Sequence, residues 1–365
     1  MKIECQLEKI KNAVITCERI TGKNLTLPVL STILLIAKDK SLTLRATNLS
    51  IGIEIKVPAK IEKEGIVAIS GQVLSSLFGV IVNDGSITLE LVDNIINIKT
   101  KSNTISIKTV PHEDFPTLPN VVGDKLEIHR DKLVEGIKAV YYSAAVSDIK
   151  PEIGSVYLYK DEEDLVFVAT DSFRLAEKRI KIKQDLNFDG VLIPFKNTTE
   201  ILRVLENGDE NIDIIVNKNQ ISFNLENIYI TSRVIDGVFP DYKQIIPKEM
   251  SSEAVVLKQD LVNAIKVSNI FSDKFNQVTL NIDPKGKTFD IHSRNNDIGE
   301  NKSLIMGALS GEKVSANFNY KYITDSLQSI STDSISLSLS GSNKPMIIRP
   351  VGDKSFMYLV MSMNR

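Results

Sequence analysis

The residues of this sequence that could support catalysis are few and scattered. The three histidines, His112, His129 and His292, stand singly, with no HExxH pair and no serine and carboxylate arranged around them. Two cysteines, Cys5 and Cys17, are too few for a structural zinc site. We interpret the histidines as ordinary surface or strand residues and expect neither cofactor nor metal. A cytosolic enzyme that uses them through an unrecognised site is the alternative.

Two short segments resemble ligand loops but lack required positions. Residues 286–288, GKT, look like the end of a phosphate loop, but Asn281 stands where such a loop needs its first glycine. The acidic run 161–164, DEED, lacks the ligand positions of a calcium loop. Both segments are predicted to be hairpin turns.

One motif occurs three times and organises the chain. Residues 168–175, VATDSFRL, have an earlier copy at 46–50, ATNLS, and a weaker later copy at 293–297, SRNND. A second landmark repeats at a similar interval, as HEDFP at 112–116 and DGVFP at 236–240. Several landmarks that share one period indicate a triplicated unit. The predicted domains are residues 1–124, 125–250 and 251–365.

Composition and length exclude several classes of protein. The chain has 365 residues, of which 42% are hydrophobic and 25% charged, as in ordinary globular proteins. No apolar run reaches the ~18 residues of a membrane helix, and the cysteines cannot form a disulfide framework. We therefore expect a cytoplasmic protein. A formal net charge of −2 argues against a wholly basic nucleic-acid binder, although opposite charges could still be segregated onto different faces.

Each third of the sequence predicts the same order of elements. Amphipathic helices carry lysines or arginines between their apolar positions, and alternating strands such as residues 334–340, SISLSLS, surround them. The helices are predicted at about residues 7–21, 71–80, 131–145, 196–205, 259–271 and 321–330. Each domain is therefore predicted to be α+β, built from two βαβββ units with its helices on one side of its sheets.

A repeat without catalytic residues favours a symmetric scaffold. A domain of this size is roughly 35 Å across, so three in a closed ring leave a gap of about 5 Å and six leave a hole of about one diameter. Only the larger hole admits duplex DNA, which is about 20 Å wide. Two chains would supply six domains, with helices inside and sheets outside, and the lysines would face phosphates without reading sequence. The alternatives are exposed helix faces without a special role, or a scaffold that binds only proteins.

Over its whole length the sequence resembles the bacterial DNA polymerase III beta subunit family, the DNA sliding clamps. The resemblance is carried by residues 169–175, 236–242, 26–30, Phe318 and Asn319 with Tyr322, and the tail 358–365, YLVMSMNR. It implies a homodimeric ring around double-stranded DNA. Such a ring confers processivity on the replicative DNA polymerase, is opened by a clamp loader, and is not itself an enzyme.

The family also has a peptide cleft between its second and third domains, where polymerase, loader and repair proteins dock. The alternative for Met361 and Met363 is that they are core residues of a last strand, although flexible methionines suit a groove that accepts several peptides. Ser362 and Gln244 differ from the proline and the basic residue that are common in the family. The resemblance carries the cleft onto Ile153, Thr170, Ser172, Phe173, Arg174, Leu175, Pro240, Gln244, Ile245, Tyr322, Asn343, Pro345, Leu359, Met361, Ser362 and Met363.

The residues expected to face DNA lie on the first helix of a unit or near the corresponding loops. No motif fixes them individually. They are Lys23, Asn24, Lys132, Lys138, Lys150, Lys196 and Lys266.

Overall fold

A computed structural model describes residues 1–22, 26–82, 85–147, 149–182, 190–206, 208 and 210–363. Within them, helices and strands form six consecutive βαβββ motifs, two in each third of the sequence, the fifth with one extra strand. The predicted α+β class and the predicted order of elements are confirmed.

The first third forms its helices where local sequence favours them. In α1 the side chains of Ile10, Val14 and Cys17, which recur at helical spacing, are buried. At the start of α2, the Ser70 hydroxyl accepts a hydrogen bond from the amide of Val73 and caps the helix. The elements are β1 (Lys2–Gln6), α1 (Leu7–Ile20), β2 (Thr32–Lys38), β3 (Ser41–Thr47), β4 (Ile51–Lys63), β5 (Gly65–Ser70), α2 (Gly71–Val80), β6 (Ser86–Val92), β7 (Ile95–Lys99) and β8 (Thr104–Lys108).

In the second third, one helix is shorter than predicted. The elements are β9 (Asp124–His129), α3 (Arg130–Val140), β10 (Ser155–Asp161), β11 (Asp164–Thr170), β12 (Arg174–Lys181), β13 (Val191–Pro194), α4 (Phe195–Leu205), β14 (Asn211–Val216), β15 (Gln220–Asn224) and β16 (Ile228–Arg233). Helix α3 does not continue to residue 145, because Tyr141–Ser143 form a 3-10 turn. The ring of Tyr141 stacks on Phe195 and that of Tyr142 on Tyr358, so distant aromatic partners end the helix.

The last third of the sequence repeats this order of helices and strands and has one additional strand. Helix α6 is capped by the side chain of Asn319, which accepts a hydrogen bond from the Lys321 amide. It ends at Leu327, three residues before its predicted end. The elements are β17 (Ser252–Leu257), α5 (Lys258–Ile270), β18 (Gln277–Asp283), β19 (Thr288–Asn295), β20 (Gly299–Leu304), β21 (Gly307–Gly311), β22 (Val314–Asn319), α6 (Tyr320–Leu327), β23 (Ser334–Leu339), β24 (Met346–Pro350) and β25 (Phe356–Val360).

Residues 1–131 and 199–234 form one compact unit around a twelve-stranded sheet. Its main path runs β8-β7-β6-β1-β4-β16-β15-β14-β9, and β2, β3 and β5 branch from it. Strand β4 is 13 residues long and pairs with three strands: Ile55 lies opposite Ile228 of β16, Ala59 lies opposite Cys5 of β1, and residues 52–58 pair with β3. This one strand therefore links the first and second thirds of the sequence.

Residues 132–198 and 235–365 form a second compact unit with two sheets. The larger runs β13-β10-β11-β12-β25-β24-β23-β17-β21 and the smaller β20-β19-β18-β22. Helix α3 packs closely on β11, because a Cβ added at Gly136 would lie 2.4 Å from the Phe167 ring. The middle third of the sequence thus contributes strands to both compact units.

The two segments that resemble ligand loops are hairpin turns, as predicted. Asp161 and Asp164 pair across the β10–β11 turn, and both carboxylates bind Arg179. At the β18–β19 turn, the amide of Gly286 donates to Asp283. In the part of the chain that the structure describes, no group of three His, Cys, Asp or Glu residues could hold a metal ion.

The remaining candidate reactive residues are dispersed. His129 ends β9, His292 lies in β19, and His112 lies between β8 and β9. Both cysteines are free thiols, and burial raises the pKa of Cys5 to about 12 and also raises that of Cys17. None of the described helices is both long and apolar enough to span a membrane.

Candidate functional site

The repeated motif forms a tight turn between β11 and β12. The Asp171 carboxylate accepts hydrogen bonds from the amides of Phe173 and Arg174, both at 2.9 Å. The Thr170 hydroxyl donates to the Arg174 carbonyl at 2.6 Å and accepts from the Ser172 amide at 3.2 Å. Ser172 has a left-handed backbone with φ of 77°. The threonine and aspartate of the motif therefore close the turn, and they leave the Phe173 ring 62% exposed.

Arg174 ties this turn to helix α6. Its Nε donates to Asp171 at 3.0 Å, its Nη1 donates to Asp325, and its guanidinium lies 4.7 Å from the centre of the Tyr322 ring. Burial opposes its charge, but nearby Tyr358 and the two carboxylates raise the pKa of Arg174. Because two carboxylates already balance this arginine, it is a fixed structural cation rather than a free anion receptor.

The last strand and the tail lie beside the turn. Leu359 of β25 pairs with Leu175 of β12, and both side chains are buried. The Met361 amide then donates to the Phe173 carbonyl at 2.8 Å, and the Met361 side chain is 36% exposed. Since β25 ends at Val360, Met361 lies past the strand, and the interpretation of Met361 as a core residue of that strand is wrong.

Beyond Met361 the tail follows the smaller sheet of the same unit. The Met363 amide donates to the carbonyl of Asn317 in β22 at 2.8 Å, and Ser362 is half-buried. Met363 is therefore not a residue of the last strand either. A surface cavity of about 480 Å³ lies here, lined by Thr279, Ser315, Ala316, Asn317, Ser342, Asn343 and Met363.

The segment that contains Pro240, Gln244 and Ile245 packs on the hydrophobic core beneath β12 and β25. Phe239 and Tyr242, on either side of the proline, belong to a buried cluster that includes the two leucines of β12 and β25. Pro240, Gln244 and Ile245 themselves are exposed, and they offer an outer surface on a fixed support. The Gln244 side-chain amide is held by Asp241 at 2.7 Å.

A polar network holds Tyr242 in place. Its hydroxyl donates to Glu177 and lies 2.7 Å from the hydroxyl of Tyr159. Glu177 in turn accepts from Arg179 at 2.8 Å. Burial, followed by the charge of Glu177, raises the pKa of Tyr242, so this hydroxyl stays protonated. The Tyr242 side chain therefore fixes the 3-10 turn Tyr242–Ile245 to the sheet.

Two further predicted residues precede strands β10 and β24 of the larger sheet. Ile153 is half-buried, and its carbonyl accepts a hydrogen bond from the Ala145 amide at 2.9 Å. Pro345 is buried and directly precedes Met346, which pairs with Val360 at the end of β25. All sixteen residues predicted for the cleft belong to the second compact unit.

We call residues 170–175 with Pro240, Ile245, Leu359 and Met361 the Arg174 cleft. Exposed Phe173 and Met361 side chains lie beside buried leucines and a charge-balanced arginine. Such a surface offers apolar contact area with few polar groups, which suits a short peptide.

Those lysines predicted to face DNA that the structure describes occupy exposed positions. Leu133 and Ile137 form the buried face of α3, so Lys132 and Lys138 lie on its outer face. Lys23 and Asn24 lie outside the described residues. The exposed lysines are Lys132 and Lys138 on α3, Lys150 in the loop before β10, Lys196 on α4 and Lys266 on α5.

Three residues that support the cleft were not among the predicted site residues. Asp171 lies inside the repeated motif, and its spacing before two turn amides could have identified it. No local signal shows what Asp325 and Tyr242 contact, because their partners Arg174 and Glu177 lie far away in the sequence.

Three sequence profiles of one family match the chain in tandem. The N-terminal domain of the DNA polymerase III beta subunit matches residues 1–119, the central domain residues 127–241, and the C-terminal domain residues 243–364.

Similar proteins extend over the same length. The beta sliding clamp of Synechococcus elongatus is 26% identical over 369 residues, with 99% of this chain and 98% of that protein covered. The crystal structure of the Thermotoga maritima DNA polymerase III beta subunit has a TM-score of 0.93 and 26% identity, and covers 100% of this chain and 99% of that one. A DNA polymerase sliding clamp from Bacillus subtilis, at 23% identity and a TM-score of 0.95, shares the fold, with 100% of this chain and 99% of that one covered.

Proposed function

This chain belongs to the DNA polymerase III beta subunit family, and from that premise we propose that two copies form a ring around duplex DNA. The ring is a non-catalytic processivity subunit that tethers the replicative polymerase in the cytoplasm. A clamp loader opens it, and partner proteins dock in the Arg174 cleft. Each chain contributes three domains, with boundaries near residues 124 and 250.

The observation that carries this proposal is the sixfold βαβββ repeat, matched along the whole chain by the three domains of one family. Twelve such motifs in two chains make six domains, which leave a hole of about one domain diameter, roughly 35 Å. Exposed lysines on α3, α4 and α5 supply positive charge for phosphates. Since lysine–phosphate pairs read no bases, the ring can slide.

The first compact unit offers one half of an interface between copies. Strand β8 ends the twelve-stranded sheet, so one side of its backbone pairs with no other strand among the described residues. Val73 and Val80 of α2 and the following Val82 are exposed in the same unit. An open strand edge with exposed apolar side chains is a surface that proteins normally cover.

The second compact unit offers the other half. Strand β20 ends the four-stranded sheet, and Leu304 at its end is exposed. The Phe271 ring, just after α5, lies 3.8 Å from the point where a Cβ on Gly299 would be, so α5 ends next to the start of β20. Ile270 and Ile298 are also exposed. We propose that β8 of one copy pairs with β20 of the other, which closes a two-fold ring.

The assembly is tested by mass and by topology. Light scattering of the full chain should give twice 40.6 kDa, and the loaded protein should remain on nicked circular DNA but leave once the circle is cut. Replacing Leu304 and Ile298 by Glu should give monomers, whereas Val238→Glu, at another exposed apolar position, should leave dimers. A wild-type monomer at micromolar concentration, or equal retention on linear DNA, would contradict the ring.

A further inference from the structure

The first copy of the repeated motif forms the same turn as the second. The Thr47 hydroxyl donates to the Ile51 carbonyl at 2.9 Å, and the Asn48 side chain accepts from the amides of Ser50 and Ile51, both at 3.0 Å. Leu49 has φ of 75°, in the left-handed region like Ser172. Every bond that closes the turn before β12 thus has a counterpart here.

The strand beside this turn is equivalent as well. Thr231 of β16 lies opposite Gly52 of β4, as a leucine of β25 lies opposite a leucine of β12. The Arg233 amide donates to the Ser50 carbonyl at 2.8 Å, the same length as the bond that holds Met361. Gly52, Thr231 and Arg233 therefore stand where the Arg174 cleft has, in order, two leucines and a methionine.

This second surface contains its own cavity, of about 230 Å³, within the first compact unit. At ~30 Å³ per water molecule it has room for roughly eight, which is enough for one or two side chains but small for a cofactor. We call residues 47–52 with Leu118, Gln220, Thr231 and Arg233 the Arg233 cleft. Leu118 covers Gly52, since a Cβ there would lie 2.4 Å from the leucine Cδ2.

Two polar groups of this cleft point to an anionic ligand. Arg233 is the one charged residue among those that line the cavity, it is exposed, and it makes no ion pair within the described chain. Thr231 also lines the cavity, is 4% exposed, and its hydroxyl has no hydrogen-bond partner among the described residues. A buried hydroxyl without a partner is costly, so a ligand that accepts its hydrogen bond is favoured.

We propose that the Arg233 cleft binds an extended peptide segment through an acidic side chain. The carboxylate accepts from the Arg233 guanidinium and from the Thr231 hydroxyl, and the flanking backbone lies along the turn. The choice of a peptide rests on the proposed function of the Arg174 cleft, because the two turns share one backbone. The preference for an anion rests on Arg233 and Thr231 alone.

The test uses the full-length dimer and two blocked peptides, acetyl-SAEVAS-amide and its neutral analogue acetyl-SAQVAS-amide. Ligand-observed NMR titration measures the affinity of each peptide. The acidic peptide should bind wild type about ten-fold more tightly than the neutral one, as expected for one charge-assisted hydrogen bond. Arg233→Gln should remove that preference and Arg233→Lys should keep part of it. Arg294→Gln, at an exposed arginine in the third copy of the motif, is the matched control and should change nothing.

Several outcomes would overturn the proposal. They are equal affinity for the two peptides, no binding near 1 mM, an unchanged preference in Arg233→Gln, or displacement of the acidic peptide by a short DNA duplex. Loss of acidic-peptide binding in Met361→Arg would place the peptide in the Arg174 cleft instead. An apolar peptide that fails to bind the Arg174 cleft would contradict the proposed docking function but would leave the anion preference of the Arg233 cleft as measured.

Discussion

The turns that precede β4 and β12 have the same backbone conformation, but the side chains around them differ: they are polar beside β4 and apolar beside β12. Both use a threonine and an Asx side chain to hold the same amides, and both have a left-handed third residue. Around them, two leucines and a methionine in one cleft are replaced by Gly52, Thr231 and Arg233 in the other. After duplication, the chain kept the bonds that bend it and changed the side chains that a ligand would touch.

The largest effect is expected at the buried floor of the Arg174 cleft. Leu175→Ala should destabilise the second compact unit by about 2–5 kcal/mol, because the side chain is fully buried and its removal leaves a cavity. Native-state hydrogen exchange of the β25 amides measures this destabilisation. Val238→Ala, at a valine that is 87% exposed, should cost far less. Equal effects would show that Leu175 is not part of a packed floor.

Met361→Arg gives the Arg174 cleft the cation of its counterpart. An apolar peptide selected from a displayed library on wild type should lose about 2–4 kcal/mol of binding free energy, the range of a hot-spot residue. Fluorescence anisotropy with the labelled peptide measures the change. Met306→Arg is the matched control, since Met306 is 83% exposed. If both variants bind the peptide equally, Met361 does not touch it.

The two Asx residues should differ in what they contribute. Asn48→Ala removes an acceptor of two neutral amides and should cost about 0.5–1.5 kcal/mol of local stability. Asp171→Ala also leaves Arg174 with one carboxylate fewer and should cost about 1.5–3 kcal/mol. Hydrogen exchange at the turn amides compares the two variants. A larger effect in Asn48→Ala would reverse the comparison.

The smallest effect per residue is expected at the lysines, which belong to neither turn. Replacing Lys132, Lys138 and Lys196 by Gln should flatten the salt dependence of DNA binding by about 0.9 in log–log slope for each phosphate that is no longer neutralised. Arg233→Gln should leave the slope unchanged if its cleft serves peptides. Gln at Lys101, Lys285 and Lys287, which are exposed in hairpin turns, provides the charge-matched control. An unchanged slope in the helix variant would show that its lysines face away from DNA.

Much of the fold could be read from local sequence. Helix α2 has its predicted bounds, and α1 starts where predicted, because periodic apolar residues and a serine cap are local signals. The end of α3 could not be read in this way. Its last predicted turn is taken by Tyr141 and Tyr142, whose aromatic partners lie on other elements.

The third copy of the motif shows a similar limit. Its sequence predicts a weaker repeat, and the structure places it at the turn after β19. There the pair Asn295 and Gly299 encloses three residues, whereas Thr170 and Leu175 enclose four. A change of one residue in register alters the whole turn and is not visible in composition or motif.

The Arg174 cleft could be named from family motifs, but its supports and its counterpart could not. Asp325 balances Arg174 across 151 positions of sequence. The Arg233 cleft has no motif in β16, and only the strand register shows that Arg233 and Met361 are equivalent. The predicted roles of the cleft residues, the lysines and the domain boundaries stay predictions.

The pairing of strand β4 limits how chimeras of this protein can be made. Its first half pairs with β16, while β12 pairs with β25, so the middle repeat is bonded on both flanks to strands encoded elsewhere. Recombination that exchanged the middle repeat alone would separate these paired strands and expose unpaired strand edges in both sheets. Such edges promote aggregation. The sequence repeat thus reflects how the gene arose. Chimeras that fold should instead be joined at the bounds of the two compact units, which differ from the bounds of the repeats.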